Sequence, residues 1–171
     1  MDSSKMTAGQ RFPDLAWKSV SGDDVAPSRS EGWRLLIVYR GKHCPLCKQY
    51  LDTLNGMLPD LNAEKIAVMT LSADPQEKAV AQVKETGWKF PVGYGLAVDE
   101  MRKLGLYVSD PRSPAETDRP FSEPGTFVIN PEGNVQIIDI SNAPFARPDL
   151  AALVKGVKFV RDKAYPVRGR A

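Results

Sequence analysis

The chain is poor in metal-binding residues: its 171 residues include two cysteines and a single histidine. A closed structural zinc site takes four protein ligands, and these residues do not complete one without a second chain. The glycine-rich motifs that bind phosphates (G-x-x-x-x-G-K-S/T) and dinucleotides (G-x-G-x-x-G) are missing, as is the serine-hydrolase motif G-x-S-x-G. We therefore expect no organic cofactor and no resident metal ion.

Long apolar runs and a strong charge imbalance are missing as well. No stretch approaches the roughly 18 apolar residues of a membrane span, and no apolar segment follows residues 1–5 as it does in a secretory signal. The 23 basic and 21 acidic residues leave a formal net charge of +2, which gives no reason to expect binding to nucleic acid or to a membrane. We expect a cytoplasmic protein, and in that compartment a pair of cysteines is more often catalytic or metal-binding than a structural disulfide.

Both cysteines lie in one motif, C-P-L-C at residues 44–47. The apolar run 33–39 before it predicts a strand that is buried on both faces. Leucines at helical spacing after it predict a helix over about 45–62, with Pro45 at the first helical position and Pro59 bending the helix or ending it early. The CxxC motif is therefore expected where a strand meets the N-terminus of a helix.

The rest of the chain alternates strands with helices. Further strands are predicted at 66–71, 125–130 and 135–140, the last two as a hairpin, and further helices at 75–86, 97–104 and 149–162. Residues 109–124 are rich in proline and predict a long loop. This order predicts an α/β fold with helices on both faces of a central sheet. We expect one domain over 10–163, preceded by a flexible segment 1–9 and followed by a basic tail 164–171.

Two thiols one helical turn apart can close a disulfide and open it again. The N-terminus of a helix carries partial positive charge and free N–H groups, and both favour a thiolate. Arg40, Lys42 and His43 lie directly upstream and are expected to lower a cysteine pKa further, His43 when it is protonated. The alternative for these side chains is a solvated loop that does not influence the sulfur atoms.

Three stretches carry a resemblance to a known family. The first is the strand and CxxC motif at 38–47, and the second is the F-P-V sequence at 90–92. The third, at 123–133, contains Pro124 and Thr126 and is similar to a hairpin of the form Pro-x-Thr-Phe-hydrophobic-Ile-Asp-x-x-Gly. Together they resemble the thioredoxin-fold superfamily, in particular its peroxiredoxin-like branch of the alkyl hydroperoxide reductase and thiol-specific antioxidant type. The resemblance implies a thioredoxin-like fold with a central mixed sheet flanked by helices.

The resemblance also implies roles for single residues. Pro124 matches the cis-proline that lies against the dithiol in thioredoxin-like proteins. Cys47 matches the peroxide-attacking cysteine of peroxiredoxins, and Cys44 stands in the place of their threonine. Arg40 replaces their proline, and Pro124 replaces their distal arginine. Most of the residues that hold a peroxide are thus exchanged, which favours thiol–disulfide exchange over efficient peroxidase action.

The roles of the two cysteines stay open in the sequence. In thioredoxin-type geometry, Cys44 is exposed at the helix N-cap and attacks, and Cys47 resolves the mixed disulfide. In the peroxiredoxin register, Cys47 meets the peroxide and Cys44 closes the disulfide. We predict an oxidoreductase that exchanges thiols and disulfides through a reversible Cys44–Cys47 disulfide. A thiol-dependent peroxidase acting through Cys47, a non-enzymatic redox sensor and a copper(I) carrier are the alternatives.

The predicted chemistry requires partners. A thiol of the thioredoxin or glutathione type is expected to donate electrons, and a protein disulfide or a hydroperoxide is expected to accept them. A homodimer is an open alternative to a monomer, because thioredoxin-fold scaffolds of this type often pair through sheet edges or through loops near the site.

Overall fold

The computed structural model describes residues 5–171, so the first four residues of the predicted flexible segment 1–9 lie outside the described part. The strands are β1 (Trp17–Lys18), β2 (Asp24–Val25), β3 (Trp33–Val38), β4 (Ile66–Leu71), β5 (Val92–Gly93), β6 (Val108–Ser109), β7 (Phe121–Ser122), β8 (Gly125–Ile129) and β9 (Val135–Ile140). The α-helices are α1 (Pro45–Gly56), α2 (Leu58–Ala63), α3 (Gln76–Thr86), α4 (Val98–Lys103) and α5 (Leu150–Asp162).

Five of these strands form a mixed central sheet in the order β5-β4-β3-β8-β9. In its centre, β3 pairs in parallel with β4 and antiparallel with β8, so that Leu35 lies between Val68 and Val128. The continuous apolar sequence of β3 suits this place, since a central strand is covered on both faces. The predicted hairpin is formed by β8 and β9. The sheet confirms the predicted α/β, thioredoxin-like class.

The helix predicted over 45–62 is divided into α1 and α2, which meet at Met57. Pro59 lies in the first turn of α2, where its missing N–H would have no helical partner in any case. The predicted interruption at this proline is therefore confirmed. Buried Leu51, Leu54 and Leu61 hold both helices against the sheet.

Apolar side chains form two clusters, because neighbouring residues of a strand point to opposite faces of the sheet. Leu35 and Ile37 belong to one cluster, which includes Leu51 and Leu54 of α1 and both cysteines. Leu36 and Val38 belong to the other cluster, together with Phe127. The dithiol thus lies on the face of the sheet that α1 covers.

The segment 109–124, predicted as a loop, is strand at its end: β7 pairs antiparallel with β6, with Ser122 opposite Val108. The prediction was wrong there because pairs of two residues leave no periodicity in a sequence. This ribbon brings Phe121 and Glu123 beside Arg40, just upstream of the cysteines. No helix within residues 5–171 combines the length and the apolar character that a membrane crossing requires.

Candidate functional site

The CxxC motif lies where the chain leaves the central strand and enters α1. β3 ends at Val38, residues 40–43 turn the chain, and Cys44 is the N-cap of α1 with extended backbone angles (φ −107°, ψ 105°). Its sulfur accepts a hydrogen bond from the backbone N–H of Cys47, with 3.2 Å between N and Sγ. Pro45 occupies the first turn, as predicted, where no N–H is needed.

The two cysteines are free and lie 2.6 Å apart. Both are buried: Cys44 is 2% exposed and Cys47 is fully covered. The expectation that Cys44 is exposed at the N-cap was therefore wrong. Its sulfur turns inward because it accepts the N–H of Cys47, and it joins the apolar cluster beneath α1. Within the CxxC motif, the two residues between the cysteines, Pro45 and Leu46, are exposed.

The surroundings separate the two thiols electrostatically. The pKa of Cys44 is lowered to about 6, because the thiol and the backbone N–H of Cys47 donate to its sulfur and because Arg40 adds a hydrogen bond and a positive charge. The pKa of Cys47 is raised far above its usual range, because its thiol donates to Cys44 and because it is buried. Both shifts favour the thiolate on Cys44 and the protonated thiol on Cys47.

Arg40 is held in place by partners on the β6–β7 ribbon. Its Nε lies 3.0 Å from Oε2 of Glu123, and its guanidinium lies 4.8 Å from the ring centre of Phe121. Glu123 is 4% exposed, and its Oε1 also accepts a hydrogen bond of 2.9 Å from Ser109 Oγ. The sequence analysis missed Glu123 as a site residue, because its neighbours Ser122 and Pro124 give no local sign of an arginine that lies 83 positions away in the chain.

His43 contributes no positive charge. Its ring lies 4.6 Å from that of Phe121, and both of its nitrogen atoms are buried without a hydrogen-bond partner in the described part of the chain. Burial and the charge of Arg40 lower its pKa, so the imidazole is neutral at pH 7. The expectation that a protonated His43 stabilises the thiolate was therefore wrong.

Pro124 and Thr126 are placed by β8. None of the peptide bonds within residues 5–171 is cis, so the expectation of a cis-Pro124 was wrong. The chain runs extended through this position: the N–H of Glu123 donates to the carbonyl of Tyr107, and the carbonyl of Pro124 accepts from Ser141. Thr126 is buried inside β8 opposite Ile37.

A groove of about 700 Å³ opens beside the dithiol, and its wall includes Arg40, His43 and Pro45. The wall also contains Lys42, Lys78, Arg112, Glu77 and Glu116. The three basic side chains in this second group each pair with a carboxylate: Lys42 with Glu85, Lys78 with Asp118 and Arg112 with Glu116. The groove is therefore polar, and its cations are already neutralised.

Metal ligands do not gather at this site. Within residues 5–171, no group of three or more His, Cys, Asp and Glu side chains could hold a metal ion. His43 faces Phe121, so the proposed copper(I) site would rest on Cys44 and Cys47 alone.

Known proteins of two kinds are similar to this chain. The thioredoxin-like protein YneN of Bacillus subtilis (strain 168) is 22% identical over 132 residues, which cover 77% of this chain and 71% of YneN. Among solved structures, a cysteine mutant of peroxiredoxin 6 from Arenicola marina superimposes with a TM-score of 0.80 at 16% identity, covering 94% of this chain and 76% of that one. AhpC of Enterococcus faecalis gives a TM-score of 0.74 at 17% identity, covering 96% and 99% of the two chains.

These structural likenesses establish the shared fold. The sequence profile of the AhpC/TSA family matches residues 8–138, which include β3, β4, β5 and β8 of the central sheet, the first part of β9, the dithiol and Glu123. This match extends over more than half of the chain, and we conclude that the chain belongs to the AhpC/TSA family.

Proposed function

We propose that this protein, an oxidoreductase of a peroxiredoxin-like family, catalyses thiol–disulfide exchange through a reversible Cys44–Cys47 disulfide. The observation that carries the proposal is the geometry of the dithiol: the two cysteines lie 2.6 Å apart at the N-terminus of α1, and Cys44 Sγ accepts the N–H of Cys47. These surroundings lower the pKa of Cys44 and raise that of Cys47. Exchange requires one thiolate that attacks the substrate and a second thiol that resolves the mixed disulfide. We assign the first role to Cys44 and the second to Cys47.

The reaction runs in two steps. The Cys44 thiolate attacks one sulfur of the substrate disulfide, so a bond forms between Cys44 and that sulfur while the other substrate sulfur leaves as a thiolate and takes up a proton. Cys47 then loses its proton and attacks the Cys44 sulfur, which closes the Cys44–Cys47 disulfide and releases the second substrate thiol. The substrate gains two electrons, the dithiol loses two, and an external dithiol or two monothiols return the protein to its reduced form.

Arg40 and Glu123 support the first step. Arg40 stabilises the attacking thiolate, and Glu123 fixes the guanidinium from a position that is shielded from water. A cation held in this way costs little reorganisation when the sulfur reacts. Arg40, which stands in the place of a peroxiredoxin proline, thus acts on the dithiol.

A thiol-dependent peroxidase is the second candidate, and the burial of both sulfur atoms favours it. A hydroperoxide is small enough to reach a sulfur that is 2% exposed, whereas a protein disulfide requires local opening. In that reaction the thiolate breaks the O–O bond and becomes a sulfenic acid while an alcohol or water leaves. The second cysteine then condenses with the sulfenic acid and releases water. The pKa order favours Cys44 as the attacking residue here too, instead of Cys47.

A side-by-side assay tests both candidates. The reduced protein, Cys44→Ser and Cys47→Ser are each given oxidised glutathione, insulin or hydrogen peroxide, with a dithiol reductant in excess. With the reductant present, we expect the native protein to turn over a disulfide substrate and Cys44→Ser to be inactive. Without the reductant, we expect Cys47→Ser to stop at a mixed disulfide. Peroxide consumption that survives in Cys44→Ser would assign the peroxidase role to Cys47. Stoichiometric oxidation without turnover of any substrate would favour the redox sensor.

We also propose the setting of this reaction. The cytoplasm supplies thiols of the thioredoxin and glutathione type, which match the electron donor that the dithiol requires.

The oligomeric state is a separate question. Size-exclusion chromatography with light scattering at several protein concentrations decides between a monomer and a homodimer.

A further inference from the structure

Asp74 is a buried carboxylate without an ionic partner. It lies in the segment between β4 and α3 and is 3% exposed. Within residues 5–171, no basic side chain lies within ion-pair distance of it. A buried carboxylate is costly unless hydrogen bonds compensate for the lost water. The contacts of this group therefore indicate why it is kept at this position.

Those contacts are with the turn that precedes the dithiol. Asp74 Oδ2 accepts the backbone N–H of Lys42, with 2.8 Å between N and Oδ2. Its carboxylate also lies against Gly41, where a Cβ would be 2.7 Å from Oδ1. In the same turn, the N–H of Cys44 donates to the carbonyl of Gly41 at 3.2 Å. A continuous series of contacts thus runs from Asp74 through the backbone of the turn to the N-cap of α1.

Asp74 is itself held by the sheet. Its backbone N–H donates to Oγ of Ser72 at 3.2 Å, and its carbonyl accepts the N–H of Gly95 at 2.9 Å. Ser72 follows β4 directly and is fully buried. Because β4 pairs in parallel with β3, both strands end at the same edge of the sheet, where Asp74 meets the turn. The position of the carboxylate therefore does not depend on the turn that it binds.

Two buried carboxylates hold this turn from opposite sides of β3. Asp74 follows β4 on one side, and Glu123 precedes β8 on the other. They bind different groups: Glu123 pairs with the side chain of Arg40, whereas Asp74 binds the backbone two residues further along. Glu123 therefore fixes the guanidinium, and Asp74 fixes the chain that leads into Cys44.

We propose that Asp74 is a positioning residue for the attacking sulfur: by binding the turn, it keeps Cys44 at the N-cap of α1, where Sγ accepts the N–H of Cys47. This inference rests on the function proposed above, in which Cys44 attacks. When the turn is released, Cys44 leaves its N-cap geometry. The thiolate then loses a hydrogen bond and the favourable end of the helix dipole.

Other ionisable groups face Asp74. Burial raises the pKa of Asp74, whereas its backbone hydrogen bond and the charges of Lys78 and Arg119 lower it. Both of these basic side chains pair with Asp118. Tyr39, directly after β3, is the remaining ionisable neighbour on which Asp74 acts. The hydrogen bond to the turn is therefore the contact that orients the carboxylate.

The test uses Asp74→Ala, Asp74→Ser and Asp74→Asn in a Cys47→Ala background, where the pH dependence of iodoacetamide alkylation gives the pKa of Cys44. Asp74→Asn keeps an oxygen that accepts the N–H of Lys42 and loses only the charge. Asp74→Ala removes the acceptor, and Asp74→Ser makes the side chain one bond too short. We expect the pKa of Cys44 to rise by about one unit in Asp74→Ala and Asp74→Ser and to be unchanged in Asp74→Asn.

Glu100→Ala is the matched control. Glu100 also accepts a backbone N–H, that of Ala97 at 2.9 Å. It lies on α4, however, whose Met101 belongs to the apolar cluster on the face of the sheet opposite the dithiol. This variant is expected to lose stability without any change in the pKa of Cys44, so it separates a general loss of stability from the positioning of the sulfur.

A double-mutant cycle with Arg40→Gln separates the two carboxylates. We expect Asp74→Ala to raise the pKa of Cys44 by the same amount with and without Arg40, because Asp74 acts through the backbone. The effect of Glu123→Gln is expected to disappear once Arg40 is replaced. An effect of Asp74→Ala that also disappears would mean that Asp74 acts through the guanidinium, and it would overturn the inference.

Two further results would overturn it: an unchanged Cys44 pKa in folded Asp74→Ala or Asp74→Ser, or an equal rise in Asp74→Asn. Circular dichroism of each variant establishes that it is folded. The proposed function fails differently, by the absence of any disulfide turnover in the native protein. The alkylation comparison needs no substrate, so it judges Asp74 even in that case.

Discussion

Arg40 and Glu123 form an ion pair that bridges the start of α1 and the β6–β7 ribbon, with 3.0 Å between Nε and Oε2. The two residues are 83 positions apart in the chain, so the pair exists only in the folded protein. Because Arg40 lowers the pKa of Cys44, that pKa depends on the β6–β7 ribbon, which holds Arg40 in place.

The contribution of Arg40 to that acidity can be measured in Arg40→Gln. The measurement is made in a Cys47→Ala background, which removes the thiol donor of residue 47 and keeps its backbone N–H donor and Arg40. In this background we expect Arg40→Gln to raise the pKa of Cys44 by about one unit relative to the protein that keeps Arg40. The pH dependence of iodoacetamide alkylation gives both pKa values.

Lys42→Gln is the control for that comparison, because Lys42 lies in the same turn but pairs with Glu85. An equal shift of the Cys44 pKa in both variants would mean that the general positive charge of the turn acts on the sulfur, and not the fixed guanidinium.

The low pKa of Cys44 predicts how stability depends on pH. The thiolate is favoured in the folded protein, so its contribution is fully present above the ordinary pKa of 9.0 and is lost as the pH falls through about 6. We expect the reduced native protein to gain stability between pH 6 and pH 8.5 relative to Cys44→Ser. Urea unfolding of both proteins at the two pH values measures the difference, and parallel pH profiles would contradict the assignment of a thiolate to Cys44.

Much of this site follows from local sequence, and the rest depends on distant contacts. The apolar run of β3, the proline at position 45 and the spacing of the α1 leucines place the CxxC motif correctly, because strands and helices of this length have clear periodicities. The trans peptide before Pro124 and the position of the Glu123 carboxylate depend on contacts between segments far apart in the chain. The inward turn of the Cys44 sulfur depends on the N–H of Cys47, a local contact that the residue pattern does not reveal. Charge patterns alone also misjudged His43, since its burial beside Arg40 opposes protonation.

Gly41 is predicted to be essential for the turn before Cys44. Its φ is +136°, and a Cβ at this position would lie 2.7 Å from Oδ1 of Asp74. Asp74 accepts the N–H of Lys42 at 2.8 Å, so a displaced carboxylate would also leave that donor unpaired. We expect Gly41→Ala to lower the free energy of unfolding by about 3 kcal/mol.

Gly22→Ala separates backbone strain from the contact with Asp74. Gly22 also has a positive φ, +95°, but a Cβ there meets no atom within 4 Å. The loss should be about 1 kcal/mol in chemical denaturation. Equal losses in the two variants would show that the contact with Asp74 contributes nothing.

The burial of the Cys44 sulfur predicts selection by reagent size. The lowered pKa of Cys44 favours its thiolate, so we expect access to the sulfur to limit its reaction more than ionisation does. The residue is 2% exposed. We therefore expect the ratio of the rate with a bulky maleimide to the rate with iodoacetamide to be at least about tenfold lower for Cys44 than for glutathione. Urea below the unfolding transition should accelerate the bulky reagent selectively, because it favours local opening of the first turn of α1. A ratio equal to that of glutathione would mean that the sulfur is open to partners without any movement. If urea brings the ratio of the maleimide rate to the iodoacetamide rate back to the glutathione value, bulky partners need the opened form. A protein disulfide would then react only with the opened form, while a hydroperoxide reacts with the closed one.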